Sequence, residues 1–229
     1  MTQCIITLPI NTETLDWALT HYREQQVTEF STRRNQYLSL SRAMLRHLLS
    51  TQFGIESLPA MAYGEHGKPY FPALPNIHFN ITHTDDAMAI VMADTGCVGI
   101  DIERIKTRRN FAGLAERVFS SHERAYLSAA TNYQQCFFQL WSAKEAYLKA
   151  TGTGLSGLAG LSLDLTQNRA YGVLKTGTLY LAEDSDNMSF ALYLPDKTAP
   201  IVHTFDGLIF TLKHISWRTL MCSHPLIAN

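Results

Sequence analysis

Residues 97–109 read Cys-Val-Gly-Ile-Asp-Ile-Glu-Arg-Ile-Lys-Thr-Arg-Arg. The first seven predict a strand. Residues two apart on a strand share a face, so Asp101 and Glu103 stand together on one side and Ile100 and Ile102 on the other, the core side. Residues 104–109 form a basic, polar connector. Outward from it the chain shows the same pattern twice, helix and then strands. Upstream, residues 31–50 carry Tyr37, Leu40, Met44 and Leu48 at helical spacing, with Leu38, Leu45 and Leu49 beside them. Strands are expected at Ile77–Thr82 and Met88–Ala93, the second turning through Asp94-Thr-Gly as a hairpin into 97–103. Downstream, helices are expected over 120–130 and 134–150, the latter stopping at Gly152. Strands follow at 161–165, 170–174, 179–182, 189–194 and 208–215. The expected fold is α+β, built as two lobes of similar size over 1–104 and 105–229.

Composition narrows the function classes. Of 229 residues, 46% are hydrophobic and 17% charged, which is too apolar and too weakly charged for a disordered chain. The net charge of −1 gives no overall field toward nucleic acid or a membrane surface. The longest clean apolar stretch, Ala87–Ala93, is far short of a membrane span. The N-terminus has no basic region before its short apolar patch, so no signal peptide is expected. Cys4, Cys97, Cys136 and Cys222 stand far apart, with no Cys-x-x-Cys pair. This argues against a zinc knuckle or a disulfide framework and for a reducing, cytoplasmic setting.

Two groups of residues carry chemistry. Adjacent carboxylates at Asp101 and Glu103 repel unless a cation, an arginine or Mg²⁺, lies between them. In the helix Phe137-Phe-Gln-Leu-Trp-Ser-Ala-Lys-Glu-Ala-Tyr-Leu-Lys-Ala150, Trp141, Glu145 and Lys149 are spaced i, i+4, i+8. If Glu145 faces Asp101 and Glu103, three carboxylates converge and suit a hard cation that keeps positions open for water and phosphate oxygens. Otherwise Glu145 and Lys149 are an ordinary surface pair. On the other side, Gly67-Lys68-Pro69 supplies a tight turn with a cation, and His83 follows a strand end between Thr82 and Thr84. Arg42 and Arg46 share one edge of the basic helix. Together these residues suit an anionic ligand. Gly64-x-x-Gly67-Lys68 is not a P-loop, lacking the full spacing.

Taken in order, five motifs resemble a known family. They are Gly67-Lys68-Pro69, Phe79-Asn80-Ile81-Thr82-His83-Thr84, Val98-Gly99-Ile100-Asp101-Ile102-Glu103, Phe119-Ser-Ser-His-Glu123, and Trp141-Ser-Ala-Lys144-Glu145-Ala-Tyr-Leu-Lys149-Ala-Thr-Gly152. The chain resembles the two-lobed 4′-phosphopantetheinyl transferases of the surfactin-synthetase-activating type. Threonine stands at 82 and 84 where that family usually has the serine form. The Trp-x-x-Lys-Glu-Ala form is similar to the subgroup tied to fatty-acid-like and polyketide carriers. Residues 165–229 carry no motif of the family.

The resemblance implies a pseudo-twofold pair of lobes, each a small antiparallel sheet with a long helix, facing across a cleft. It implies transfer of the 4′-phosphopantetheine arm of coenzyme A to a serine of an acyl or peptidyl carrier protein, with release of 3′,5′-ADP. The implied metal ligands, for Mg²⁺, are Asp101, Glu103 and Glu145. The implied coenzyme A contacts are Lys68, Pro69, Thr82, His83, Lys144 and Lys149, with Arg42 and Arg46 from the loosely matching helix. Glu145, Glu103 and Lys149 are the catalytic candidates, the base being Glu145 or Glu103, directly or through water, and less readily Glu123. The carrier's acidic helix is expected to dock over residues 105–120, and the enzyme to act as a monomer. The rival readings are a non-catalytic coenzyme A or carrier-binding module and a Mg²⁺-dependent phosphohydrolase.

Overall fold

A computed structural model describes residues 3–22, 32–106, 111–182 and 187–223. In chain order the strands are β1 (Gln3–Pro9), β2 (Ala62–Tyr63), β3 (Pro69–Tyr70), β4 (His78–His83), β5 (Ala87–Ala93), β6 (Gly99–Arg104), β7 (Ser162–Asp164), β8 (Arg169–Tyr171), β9 (Thr178–Ala182), β10 (Met188–Leu194), β11 (Val202–Phe205), β12 (Phe210–Lys213) and β13 (Trp217–Ser223). The helices are α1 (Thr12–His21), α2 (Arg33–Phe53), α3 (Phe111–Val118), α4 (Ser121–Ser128) and α5 (Tyr133–Thr151). A 3-10 turn, Gly154–Gly160, follows α5.

This is an α+β protein with two main sheets, ordered β12-β11-β1-β5-β4 and β6-β10-β9-β13-β8-β7. Its layering follows from alternation along the strands. In β5, Met88, Ile90 and Met92 pack with Leu40, Met44 and Leu48 of α2, while Ala89, Val91 and Ala93 face the other way. Those small residues meet Ile100 and Ile102 of β6 and Phe190 and Leu192 of β10 in a core shared by the two sheets. The opposite face of the second sheet, including Ala191 and Tyr193, packs beneath α5 through Leu140, Ala143 and Tyr147. The apolar run of β5 is therefore a strand buried on both faces.

Both long helices stop where glycine permits a left-handed residue, at Gly54 (φ 67°) and Gly152 (φ 71°). Asn132 caps the start of α5 by accepting from Gln135 N–H. Gly99 matters for a different reason. A Cβ there would overlap the Ala146 carbonyl oxygen and lie 2.6 Å from Ala150 N. Glycine lets α5 lie directly against β6.

One expectation is corrected. The hairpin through Asp94-Thr-Gly does not form: β5 has both edges occupied, by β1 and β4, and β6 pairs with β10 instead. The turn is a crossover between sheets, with Gly96 at φ 67° and close against Pro195. Sheet membership also cuts across residue 104. β6 belongs to the second sheet, whereas β11 and β12 return to the first, β11 pairing parallel to β1. β1, α1, β11 and β13 add to the elements expected from the sequence. Among the described residues no helix is long and apolar enough to cross a membrane, and all four cysteines are free.

Candidate active site

Asp101 and Glu103 project from the face of β6 that α5 covers, so the helix sets their surroundings. Asp101 is 4% exposed. Its Oδ1 accepts from Lys149 Nζ at 2.6 Å and from Thr82 Oγ1 at 3.2 Å. Lys149 Nζ also donates to Thr82 Oγ1 at 3.1 Å. One turn back along α5, Glu145 edges a cleft of about 310 Å³ that it shares with His66, Lys68, Asn80, Lys149 and Leu155. Glu103 Oε1 accepts from Trp141 Nε1 at 2.9 Å. The helical spacing of Trp141, Glu145 and Lys149 thus turns all three toward the carboxylate strand.

Asp101 and Glu145 each lie within electrostatic reach of the other carboxylates of the group. Burial pushes Asp101 up to about 7, against the opposing charge and hydrogen bond of Lys149, and Glu103 and Glu145 push it further up. Burial also raises Glu145, with Lys149 lowering it and Glu103 raising it. Asp101 Oδ2 is buried with no hydrogen-bond partner. A buried, unpartnered carboxylate oxygen beside two further carboxylates is a donor set that fits a hard cation. As placed, no three His, Cys, Asp or Glu side chains among the described residues are close enough to form a finished metal cage. Lys149 supplies the countercharge at Asp101 in this arrangement.

On the other wall, Lys68 reaches across to the end of α5 and the backbone just before β6. Its Nζ donates to Ala150 O at 2.8 Å and Val98 O at 3.2 Å. The contact at Ala150 places a cation at the carbonyl end of α5, the favourable end of the helix dipole. Burial lowers Lys68 to about 8, with nearby Cys97 opposing. Pro69 lines the same cleft. His83 is exposed, with its ring centroid 4.0 Å from that of Tyr37. It is held below its ordinary pKa by partial burial and then by Lys149, Asp85 opposing.

Not every expected residue arrives. Lys144 is 1% exposed and is paired with Glu123 at 2.8 Å, while also donating to Leu161 O at 3.1 Å. Glu123 in turn accepts from Ser120 N–H at 2.6 Å and Leu163 N–H at 2.8 Å. The pair is a buried tie between α4, α5 and β7, so the structure gives Lys144 no ligand-facing position and Glu123 no spare oxygen for a base. Helix spacing explains the miss, since Lys144 and Glu145 are adjacent and point to different faces. Arg46 is spent on the backbone, donating to His21 O at 2.9 Å and Glu56 O at 3.1 Å. Arg42 lies on the same helix, half-buried, and does not line the cleft. Of the expected docking segment, residues 107–110 lie outside the described residues. Phe111 begins α3 and packs edge-on against Phe137 at 4.9 Å.

Two features were not legible beforehand. Asn80, 5% exposed, accepts from Ile100 N–H at 2.9 Å. An apolar pocket of about 120 Å³ adjoins Glu103, formed by Leu114, Val118, Phe137, Phe138 and Trp141.

This arrangement can be set beside known proteins. A model of the 4′-phosphopantetheinyl transferase superfamily matches residues 97–197, the stretch holding Asp101, Glu103, Glu145 and Lys149. The transferase AcpT of Salmonella typhimurium is 37% identical over 130 residues, covering 56% of this chain and 68% of that protein. The chain belongs to the 4′-phosphopantetheinyl transferase superfamily. The transferase psf-1 of Bacillus pumilus is 35% identical over 166 residues, 71% of this chain and 62% of that one. Sfp of Bacillus subtilis is 37% identical over 120 residues, about half of each chain. The protein is thus an enzyme of the phosphopantetheinyl transferase class, and its carboxylate strand and α5 lie within the part the family shares.

Proposed function

We propose that this phosphopantetheinyl transferase moves the 4′-phosphopantetheine arm of coenzyme A to a serine hydroxyl of an acyl or peptidyl carrier protein, releasing 3′,5′-ADP. The observation that carries the reading is the buried Asp101 carboxylate. One of its oxygens is paired with Lys149 and the other lacks a partner, and Lys149 and Glu145 line a cleft that Lys68 also lines. Attack of the serine oxygen on the β-phosphorus forms one P–O bond and breaks the bond to the bridging oxygen of the pyrophosphate, which leaves with the ADP. Charge shifts toward that leaving oxygen, so catalysis consists mainly of positioning and electrostatic stabilisation.

The residues divide this work. Lys149 lies at the edge of the cleft with its ammonium on Asp101, placed to meet phosphate oxygens. Lys68 and His83 line the approach for the phosphates, and Thr82 fixes Lys149 against Asp101. Asp101, Glu103 and Glu145 would hold Mg²⁺, which when bound neutralises pyrophosphate charge. Glu145 and Glu103 are the carboxylates available to take the serine proton; Glu123 is fully engaged elsewhere. In this reading residues 1–104 chiefly bind coenzyme A, and 105–229 supply the metal helix and the carrier surface.

The test is incubation with coenzyme A, Mg²⁺ and an unmodified carrier protein, followed by intact mass measurement of the carrier. A gain of one phosphopantetheine arm is the expected result. An unmodified carrier with bound coenzyme A would make the protein a binding module, and coenzyme A breakdown without carrier modification would make it a phosphohydrolase.

A further inference from the structure

Strands β4 and β6 are the outer strands of their sheets and lie against each other, yet their ladders run elsewhere, β4 to β5 and β6 to β10. Side chains bridge the two edges instead. Ile100 N–H donates to Asn80 Oδ1 at 2.9 Å, and Ile102 N–H reaches Thr82 Oγ1 at 3.5 Å. Asn80, Thr82 and Ile100 are all buried, so these N–H groups have no water to turn to. A side-chain acceptor also stands the strands further apart than the roughly 4.8 Å of a backbone ladder. The two bonded N–H groups bracket Asp101, whose carboxylate points to the α5 side where Lys149 meets it.

We propose that Asn80 is a positioning residue. Its amide oxygen, acting through Ile100 N–H, fixes the register and spacing of β6 against β4 and so holds Asp101 where Lys149 and the cation-binding carboxylates require it. This rests on the transferase reading for its consequence in turnover, but not for its consequence in cation binding. Of the two bridging bonds, the one from Asn80 is the shorter, and Asn80, which shares the cleft with Lys149, makes no hydrogen bond to Lys149 or Asp101. It acts through the strand.

Three variants separate positioning from mere satisfaction of a buried N–H. Asn80→Gln keeps the amide and lengthens the spacer by one methylene. Asn80→Leu keeps the approximate shape and removes the acceptor. Asn80→Asp keeps the acceptor at its original reach. Each is measured by thermal melting, by calorimetric titration of the protein alone with Mg²⁺, and by carrier modification. Asn80→Gln is expected to weaken Mg²⁺ binding at least about 10-fold and to lower kcat about 10- to 100-fold, with the coenzyme A KM within about 3-fold. Asn80→Asp should retain at least about ten times the kcat of Asn80→Leu. Wild-type Mg²⁺ affinity and kcat in folded Asn80→Gln overturn the proposal. So does an Asn80→Asp variant no better than Asn80→Leu, and this comparison decides the matter if the glutamine variant does not fold. A wild-type protein that binds Mg²⁺ but leaves the carrier unmodified would instead refute the transferase reading, and the Mg²⁺ titrations would still judge Asn80.

Discussion

Lys149 Nζ lies 2.6 Å from Asp101 Oδ1, and the two ends of this ion pair differ in exposure: 27% for the lysine side chain and 5% for the aspartate. The asymmetry predicts unequal effects of breaking it. Asp101→Asn removes a buried charge and leaves a lysine that can turn to water, so the melting temperature should hold or rise. Lys149→Met removes the partner that opposes the upward shift of Asp101, which then takes up a proton at neutral pH, and stability should fall by about 1–3 kcal/mol for the lost hydrogen bonds. Both should cut kcat at least about 100-fold. Equal melting temperatures in the two variants would show that burial does not distinguish the partners.

Gly99→Ala should be severe although it adds a single methyl. The new Cβ meets the Ala146 carbonyl and Ala150 N, both helix backbone and unable to rotate away. We expect a loss of about 3 kcal/mol or more, beyond the usual range for overpacking. Urea denaturation would measure it, and a loss below about 1 kcal/mol would mean that α5 can lift from β6 at little cost.

The Lys144–Glu123 pair provides a double-mutant cycle. Lys144→Met strands a fully buried carboxylate and should cost about 3–5 kcal/mol, whereas Lys144→Met with Glu123→Gln should recover a large part of that loss. Coenzyme A KM in the double variant should stay near wild type. A tenfold rise in that KM without loss of stability would return Lys144 to the ligand site.

Lys68 titrates at about 8 in the folded chain, against an ordinary value of 10.5, because it is buried. Between these values the unfolded chain binds more protons than the folded one. Stability contributed through Lys68 therefore rises with pH from about 8 to 10.5, and the penalty is fully present below 8. The unfolding free energy of wild type minus that of Lys68→Met should be flat from pH 6 to 7.5 and climb above 8. A difference that stays flat through pH 10.5 would show that the ammonium is not desolvated.

The sequence disclosed the parts of the site that depend on local periodicity. Asp101 and Glu103 share a strand face because strand geometry leaves no alternative, and Trp141, Glu145 and Lys149 share a helix face for the same kind of reason. The layering at β5 was less visible, because a run buried on both sides shows no alternation of polarity to mark which residue faces which partner. Pairing was not legible at all. Nothing local in Asp94-Thr-Gly tells a hairpin from a crossover; that is decided by β1, which lies some 80 residues upstream and occupies the edge of β5 that β6 would need. Lys144 was misplaced for want of Glu123 and Leu161, whose approach comes from elsewhere in the chain. Asn80 stood within a motif but carried no role of its own, because its partner is a backbone N–H, and backbone groups carry no signature in a sequence.

The exchange of strands between the two sheets has a consequence for how the enzyme comes into being. As the chain leaves the ribosome, β1 has β5 on one side but waits for residues 202–205 before its other side is filled. β6, already carrying Asp101 and Glu103, waits for β10 at residues 188–194. Neither half of the chain is a finished folding unit, so a nascent or truncated fragment would expose strand edges rather than work as a smaller enzyme. Assembly of the carboxylate site is thereby tied to synthesis through residues 188–205, a quality check written into the order of the strands.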